Sequence, residues 1–133
     1  MSKNGVDVIA LSNDEIALSE SDFADKAQEV MKNREKDFRE LTTTKLRNIY
    51  SQVINVSTKV NNESEFQAHI ADIQYLKVKM AYESGRERSV EQFLGKTQLM
   101  ALLDNVKTYE QFTLYCKYAE SLVAYFKFYG GRN

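Results

Sequence analysis

The chain has 133 residues, of which 43% are hydrophobic and 28% charged, values that suit one globular domain and exclude disordered and collagen-like chains. A single cysteine, Cys116, rules out an intrachain disulfide, and no apolar run approaches the roughly 18–20 residues that a membrane span needs. The net charge of −1 argues against a general polyanion binder, yet residues 1–40 hold 6 Lys/Arg against 10 Asp/Glu, a net of −4, which leaves +3 for the remainder.

With no Pro and only 5 Gly, almost nothing interrupts a helix, and the expected fold class is all-α. Residues 1–20 lack a sustained helical period and read as a flexible or loosely docked acidic N-terminal arm, with residues 21–133 as a single helical-bundle domain. No basic start followed by an apolar stretch of signal-peptide length opens the chain, so a cytoplasmic location is expected. From Asp22, the spacing of Phe23, Ala27, Val30 and Met31 predicts a first helix that runs into the charged stretch Lys32 to Glu40. Thr42, Thr43 and Thr44 offer N-cap hydroxyls to a second, whose stripe is Leu46, Ile49, Tyr50, Val53 and Ile54. Asn61-Asn62 marks a break. The pairs Ser64 with Gln67, Ser89 with Gln92 and Thr108 with Gln111 fit the capping box, in which hydroxyl and amide satisfy each other's backbone N–H groups.

A third helix then buries Phe66, Ile70, Ile73, Leu76 and Met80, and a fourth buries Val90, Phe93, Leu94, Met100 and Leu103. The last runs from about Tyr109 to Tyr129 and stops at Gly130-Gly131, the residue type expected past a helix C-terminus. No strand is expected. The whole predicts a compact bundle of five to six helices with short loops.

Catalytic and metal chemistry lacks its residues. His69 is the only histidine and lies beside the apolar stripe of the third helix, where a helix-flank histidine is a simpler reading than a general base. Cys116 falls among apolar residues as a buried, inert thiol. No Gly-rich phosphate loop is present, and neither a metal nor a cofactor is implied. The chain reads as no enzyme.

The basic residues carry more. Lys45 and Arg47 flank opposite sides of the second helix's stripe, and either snorkel along it or, for Lys45 with Asn48 and Gln52 on one side, face an anionic surface. Lys77 continues the phase of Phe66, Ile70 and Ile73 into the apolar face, where an unpaired ammonium is not tolerated. A helix break near Lys77, or a helix end there, is therefore expected. Lys77, Lys79, Arg86 and Arg88 place four cations within twelve positions, a phosphate-contacting edge that Glu83 and Glu87 neutralise in part. The last helix carries Tyr109, Tyr115, Tyr118, Tyr125 and Tyr129 with Phe112, Phe126 and Phe128. Their spread around the helix suggests burial from two sides, by the bundle and by a second chain.

Three segments carry a family resemblance. Leu41-Thr42-Thr43-Thr44-Lys45-Leu46-Arg47, then Leu76-Lys77-Val78-Lys79-Met80-Ala81-Tyr82-Glu83-Ser84-Gly85-Arg86, and the ending Phe112 to Gly131 resemble the small helical subunit of the type III-A CRISPR effector, the Csm complex. Val78 stands where the family pattern often has Pro, and residues 1–40 match no motif. The resemblance implies a non-catalytic subunit present in several copies, stacked along the duplex of guide RNA and target RNA and clamping it through sequence-independent basic contacts in antiviral defence. Implied partners are the guide and target RNAs, further copies of the chain, and the large and backbone subunits, to which the cleavage chemistry belongs. Lys45, Arg47, Lys77, Lys79 and Arg86 carry over as RNA-binding residues, and Arg88 joins them by proximity. The competing reading is a helical protein-protein adaptor without a nucleic-acid role, docking through the aromatic last helix.

Overall fold

The computed structural model of the chain describes residues 9–131, so residues 1–8 of the expected arm and residues 132–133 of the expected bundle domain lie outside the described residues. Against the expectation of no strand, β1 (Ala10–Ser12) and β2 (Ala17–Ser19) pair antiparallel, with Leu11 opposite Leu18. Alternation along the two strands puts both leucines on one face, and both are buried in the core. Asn13 closes the turn, its Oδ1 accepting from the backbone N–H groups of Glu15 and Ile16, each at 2.9 Å. Strands of three residues are too short for their alternation to stand out in sequence.

The described residues are otherwise helical. The α-helices are α1 (Phe23–Lys32), α2 (Arg34–Asp37), α3 (Thr43–Ser57), α4 (Glu63–Ala68), α5 (Ile70–Arg86), α6 (Arg88–Thr97) and α7 (Tyr109–Phe128), with a 3-10 helix at Ala101–Asn105. The fold is all-α as expected, but the described residues form seven α-helices in place of the five to six expected. Two interruptions make the difference. The backbone turns at Asn33, where the charged stretch left the end of the first helix open, and at His69, within what one period had suggested was a single helix. The fourth helix, expected to reach Met100 and Leu103, ends at Thr97, and Leu103 lies on the 3-10 helix.

Caps explain several starts. Thr42 accepts from Lys45 N at 3.3 Å, and Thr108 accepts from Gln111 N at 3.1 Å while the Gln111 side chain accepts from Lys107 N at 2.7 Å. The box expected at Ser64 and Gln67 lies two residues earlier: Asn62 accepts from Glu65 N, and Glu65 accepts from Asn61 N, both at 2.8 Å. Ser89 caps nothing. The chain turns at Glu87, so Ser89 already lies inside α6, its Oγ buried and without a hydrogen-bond partner.

The expected break at Lys77 is also absent, since α5 runs unbroken through it. The helical phase set by Phe66 ends at His69, and the buried stripe of α5 is only Ile73, Leu76 and Met80. Lys77 sits at its edge and reaches out to the carboxylate of Asp104 on the 3-10 helix.

At the centre lies α7, which packs against α1 along its length and against α3 and the hairpin. Phe112, Leu114, Tyr115, Tyr118, Leu122 and Phe126 give it an almost fully buried face. The Tyr115 hydroxyl donates to Leu99 O at 2.6 Å and that of Tyr118 to Thr97 O at 2.9 Å, fixing the chain on either side of Gln98, whose φ of 62° ends α6 in the left-handed region. Burial raises the pKa of both phenols.

The C-terminus of α7 closes with the same economy of polar groups. Gly130, at φ 79°, donates to Lys127 O at 3.0 Å, and Gly131 donates to Phe126 O at 2.8 Å, a complete Schellman motif. The buried Arg34 adds its guanidinium, donating to Tyr129 O at 3.1 Å and Gly130 O at 2.7 Å, with its charge 5.5 Å from the Phe126 ring centroid. A cation at the negative end of the longest helix is favourable on electrostatic grounds as well. Among the described residues, no helix is long and apolar enough to cross a membrane.

Candidate nucleic-acid interface

The residues singled out as basic contacts lie on α3, α5 and the start of α6, and the fold separates them into groups. In α5 the buried stripe faces α3 and α6, and Lys79 and Arg86 lie on one exposed flank of the helix beside Tyr75, Val78 and Tyr82. Lys77 does not join them. It lies about 160° around the helix from Lys79, and its ammonium is committed to Asp104.

Lys45 leans from α3 across to the α5–α6 junction, where its Nζ is 3.1 Å from Glu87 Oε2. This brings it towards Arg86 and Arg88, which flank Glu87 in the chain. Arg47 faces away on the far side of α3, exposed, so the Leu41–Arg47 motif delivers its two cations in different directions. Arg86 pairs with Glu83 at 3.3 Å, one helical turn earlier. Among the described residues, Arg47, Lys79 and Arg88 have no carboxylate within ion-pair distance, whereas Lys45, Lys77 and Arg86 each have one.

Sequence reasoning missed the tyrosines of this face. The Lys79 ammonium lies 5.3 Å from the Tyr75 ring centroid, and the Arg86 guanidinium lies 5.4 Å from that of Tyr82. The signal was present in the spacing: an aromatic followed four residues later by a cation occurs at 75/79 and again at 82/86, away from the apolar phase of the helix. Between α3 and α5 the same face holds a shallow groove lined by Gln52, Tyr75, Val78, Lys79, Tyr82 and Glu83. The Gln52 Oε1 atom is buried in its wall with no hydrogen-bond partner.

Residues 17–132 match the protein family described as Csm2 of type III-A. Over 119 residues, 87% of this chain and 98% of the relative, 35% of positions are identical to a CRISPR system Cms protein Csm2 of Streptococcus thermophilus. The chain belongs to the Csm2 family. A Csm2 of Enterococcus italicus is 48% identical over 98 residues, covering 69% of this chain and 70% of the relative. One from Mycobacterium tuberculosis is 33% identical over 93 residues, covering 67% and 75%. Membership makes the chain a small subunit of the multi-subunit type III-A CRISPR effector, as the three motifs implied. The matched span also takes in β2, α1 and α2, which lie within the leader that carried no recognisable motif.

The remaining reactive groups are committed within the fold. His69 Nδ1 lies 3.0 Å from Asp72 Oδ2 at the α4–α5 joint. Cys116 on α7 is held away from its reactive form, because burial pushes its thiol pKa up to about 12.

Proposed function

We propose that this Csm2-family chain is a non-catalytic RNA clamp of the type III-A effector, present in several copies that lie along the guide RNA/target RNA duplex. Its contacts run to phosphates and are independent of sequence, so that pairing between guide and target supplies the specificity. The observation that carries this reading is the outer face of α5, where Lys79 and Arg86 stand on exposed tyrosines, joined by Arg88 at the start of α6. Lys45 extends the basic surface across from α3, and Arg47 offers a separate contact on the far side of that helix. Lys77 contributes less, being tied to Asp104 on another side. The partners are guide and target RNA, other copies of the chain, and the large and backbone subunits, all in the cytoplasm.

A non-catalytic role agrees with the commitment of the lone histidine to Asp72 and with the half-buried thiol of the lone cysteine, whose pKa is raised. Mild affinity purification of the tagged chain from its own host tests the proposal. Discrete short RNAs recovered with larger subunits are the expected result, and recovery with protein partners but without RNA would overturn it.

One observation favours the second reading, a protein-protein adaptor. Phe128 is 71% exposed at the end of α7, its ring 5.0 Å from Tyr129 and 6.1 Å from Tyr125. Under that reading, Phe128→Ala abolishes partner binding, and removing RNA leaves the assembly intact.

A further inference from the structure

Large exposed side chains on α5 form one line. Tyr75, Val78 and Tyr82 are 56%, 55% and 64% exposed. Two Tyr-to-cation units, 75/79 and 82/86, repeat after seven residues, which places them about 10.5 Å apart along the helix and within about 20° of the same direction. In each unit the cation engages the ring and helps hold it in place. A second copy of this face is a poor occupant, because helices packed here antiparallel would bring Lys79 and Arg86 of each against those of the other. Positive charge beside aromatic rings fits an anionic partner with flat apolar faces.

We propose that the α3–α5 groove receives unpaired nucleotides, with bases stacking on Tyr75 and Tyr82 and phosphates meeting Lys79, Arg86 and Arg88. This goes beyond the RNA-clamp reading and rests on it: the duplex meets the basic residues through its phosphates, and the groove takes nucleotides left unpaired beside it. A duplex presents phosphates alone to such a surface, whereas an unpaired strand presents both phosphates and base faces. The offset of the two units along the helix, about 10.5 Å, corresponds to about three nucleotides at the 3.4 Å spacing of a stacked strand. The groove holds about 310 Å³, and the Gln52 amide in its wall has an acceptor that forms no bond within the protein. Glu83, also in the groove, is screened by Arg86.

The test uses the full chain and two probes: a 12-nucleotide single-stranded RNA containing 2-aminopurine, and the same sequence annealed to its complement. The account expects tighter binding of the single strand, with a change in 2-aminopurine emission on stacking. It expects Tyr82→Ala to weaken single-strand binding by about 5- to 100-fold, and Tyr82→Phe to keep both affinity and emission change. The salt slope should stay unaltered in both variants, because phosphate contacts remain. Equal affinity for the two probes, or full single-strand affinity in a folded Tyr75→Ala/Tyr82→Ala variant, would overturn this inference and leave the RNA clamp standing. Binding of neither RNA by the wild type, with displacement of a labelled acidic peptide from this face by unlabelled peptide, would overturn both and mark a protein-docking surface.

Discussion

Aromatic side chains occupy both α5 and α7, and the two helices use them in opposite ways. In α7, Tyr115 and Tyr118 are fully buried and spend their hydroxyls on backbone carbonyls at the end of α6. In α5, Tyr75 and Tyr82 stand in solvent and engage cations one turn along their own helix. The residue type is the same; the phase relative to the core decides the role. An aromatic on the buried phase fixes the fold, and one on the outer phase is available to a partner.

The sharpest way to break this contrast is truncation. Tyr118→Ala should cost about 3–5 kcal/mol, as a large buried side chain leaves a cavity, and the Thr97 carbonyl loses its donor. Tyr82→Ala should stay within about 0.5 kcal/mol, as exposed substitutions do. Thermal unfolding of the two variants decides it, and similar losses in both would erase the distinction.

A smaller effect probes how the end of α7 is held. Arg34→Ala should cost about 1.5–3 kcal/mol, because two charge-assisted hydrogen bonds from a buried guanidinium to the carbonyls that end α7 disappear together. Arg34→Lys keeps the charge but lacks the fork, and denaturant titration should place it between wild type and Arg34→Ala. An unchanged midpoint for Arg34→Ala would show that the Schellman motif alone suffices.

Alkaline pH gives the smallest and most diffuse test. Burial raises the pKa of Cys116, Tyr115 and Tyr118 in the folded state, so the unfolded chain loses these protons first as pH rises. Stability should therefore be flat with respect to these groups at neutral pH and fall once pH exceeds about 9, the ordinary value for the thiol, and then about 10 for the phenols. Iodoacetamide should modify the half-buried Cys116 slowly at neutral pH, because its raised pKa keeps it as the thiol. Rapid alkylation of the folded chain there would contradict the raised pKa.

Much of the core was legible because it depends on period. Leu46, Ile49 and Val53 on α3, Ile73, Leu76 and Met80 on α5, and Phe93 and Leu94 on α6 are buried as their spacing required. Thr108 and Gln111 behave as a capping box because both partners are local. The failures share a different cause. Lys77 was misplaced because its partner, Asp104, is 27 residues away and the helical phase is reset at His69. Arg34 gave no signal within a run of charges, since its partners are carbonyls 95 and 96 residues away. The hairpin was hidden because three-residue strands owe their stability to the core beneath Leu11 and Leu18. At the interface, the motifs named the cations, but their division among different faces is a property of the folded chain.

The central claim, a phosphate-contacting face on α5, is tested most directly by the salt dependence of RNA affinity in three proteins: wild type, Lys79→Gln and Lys77→Gln. The account predicts a negative slope of log affinity against log salt for the wild type. Lys79→Gln should flatten it by about 0.7, the contribution of one phosphate contact on a single strand, while Lys77→Gln should leave it near the wild-type value. A wild-type slope indistinguishable from zero, or a larger loss for Lys77→Gln than for Lys79→Gln, would contradict it.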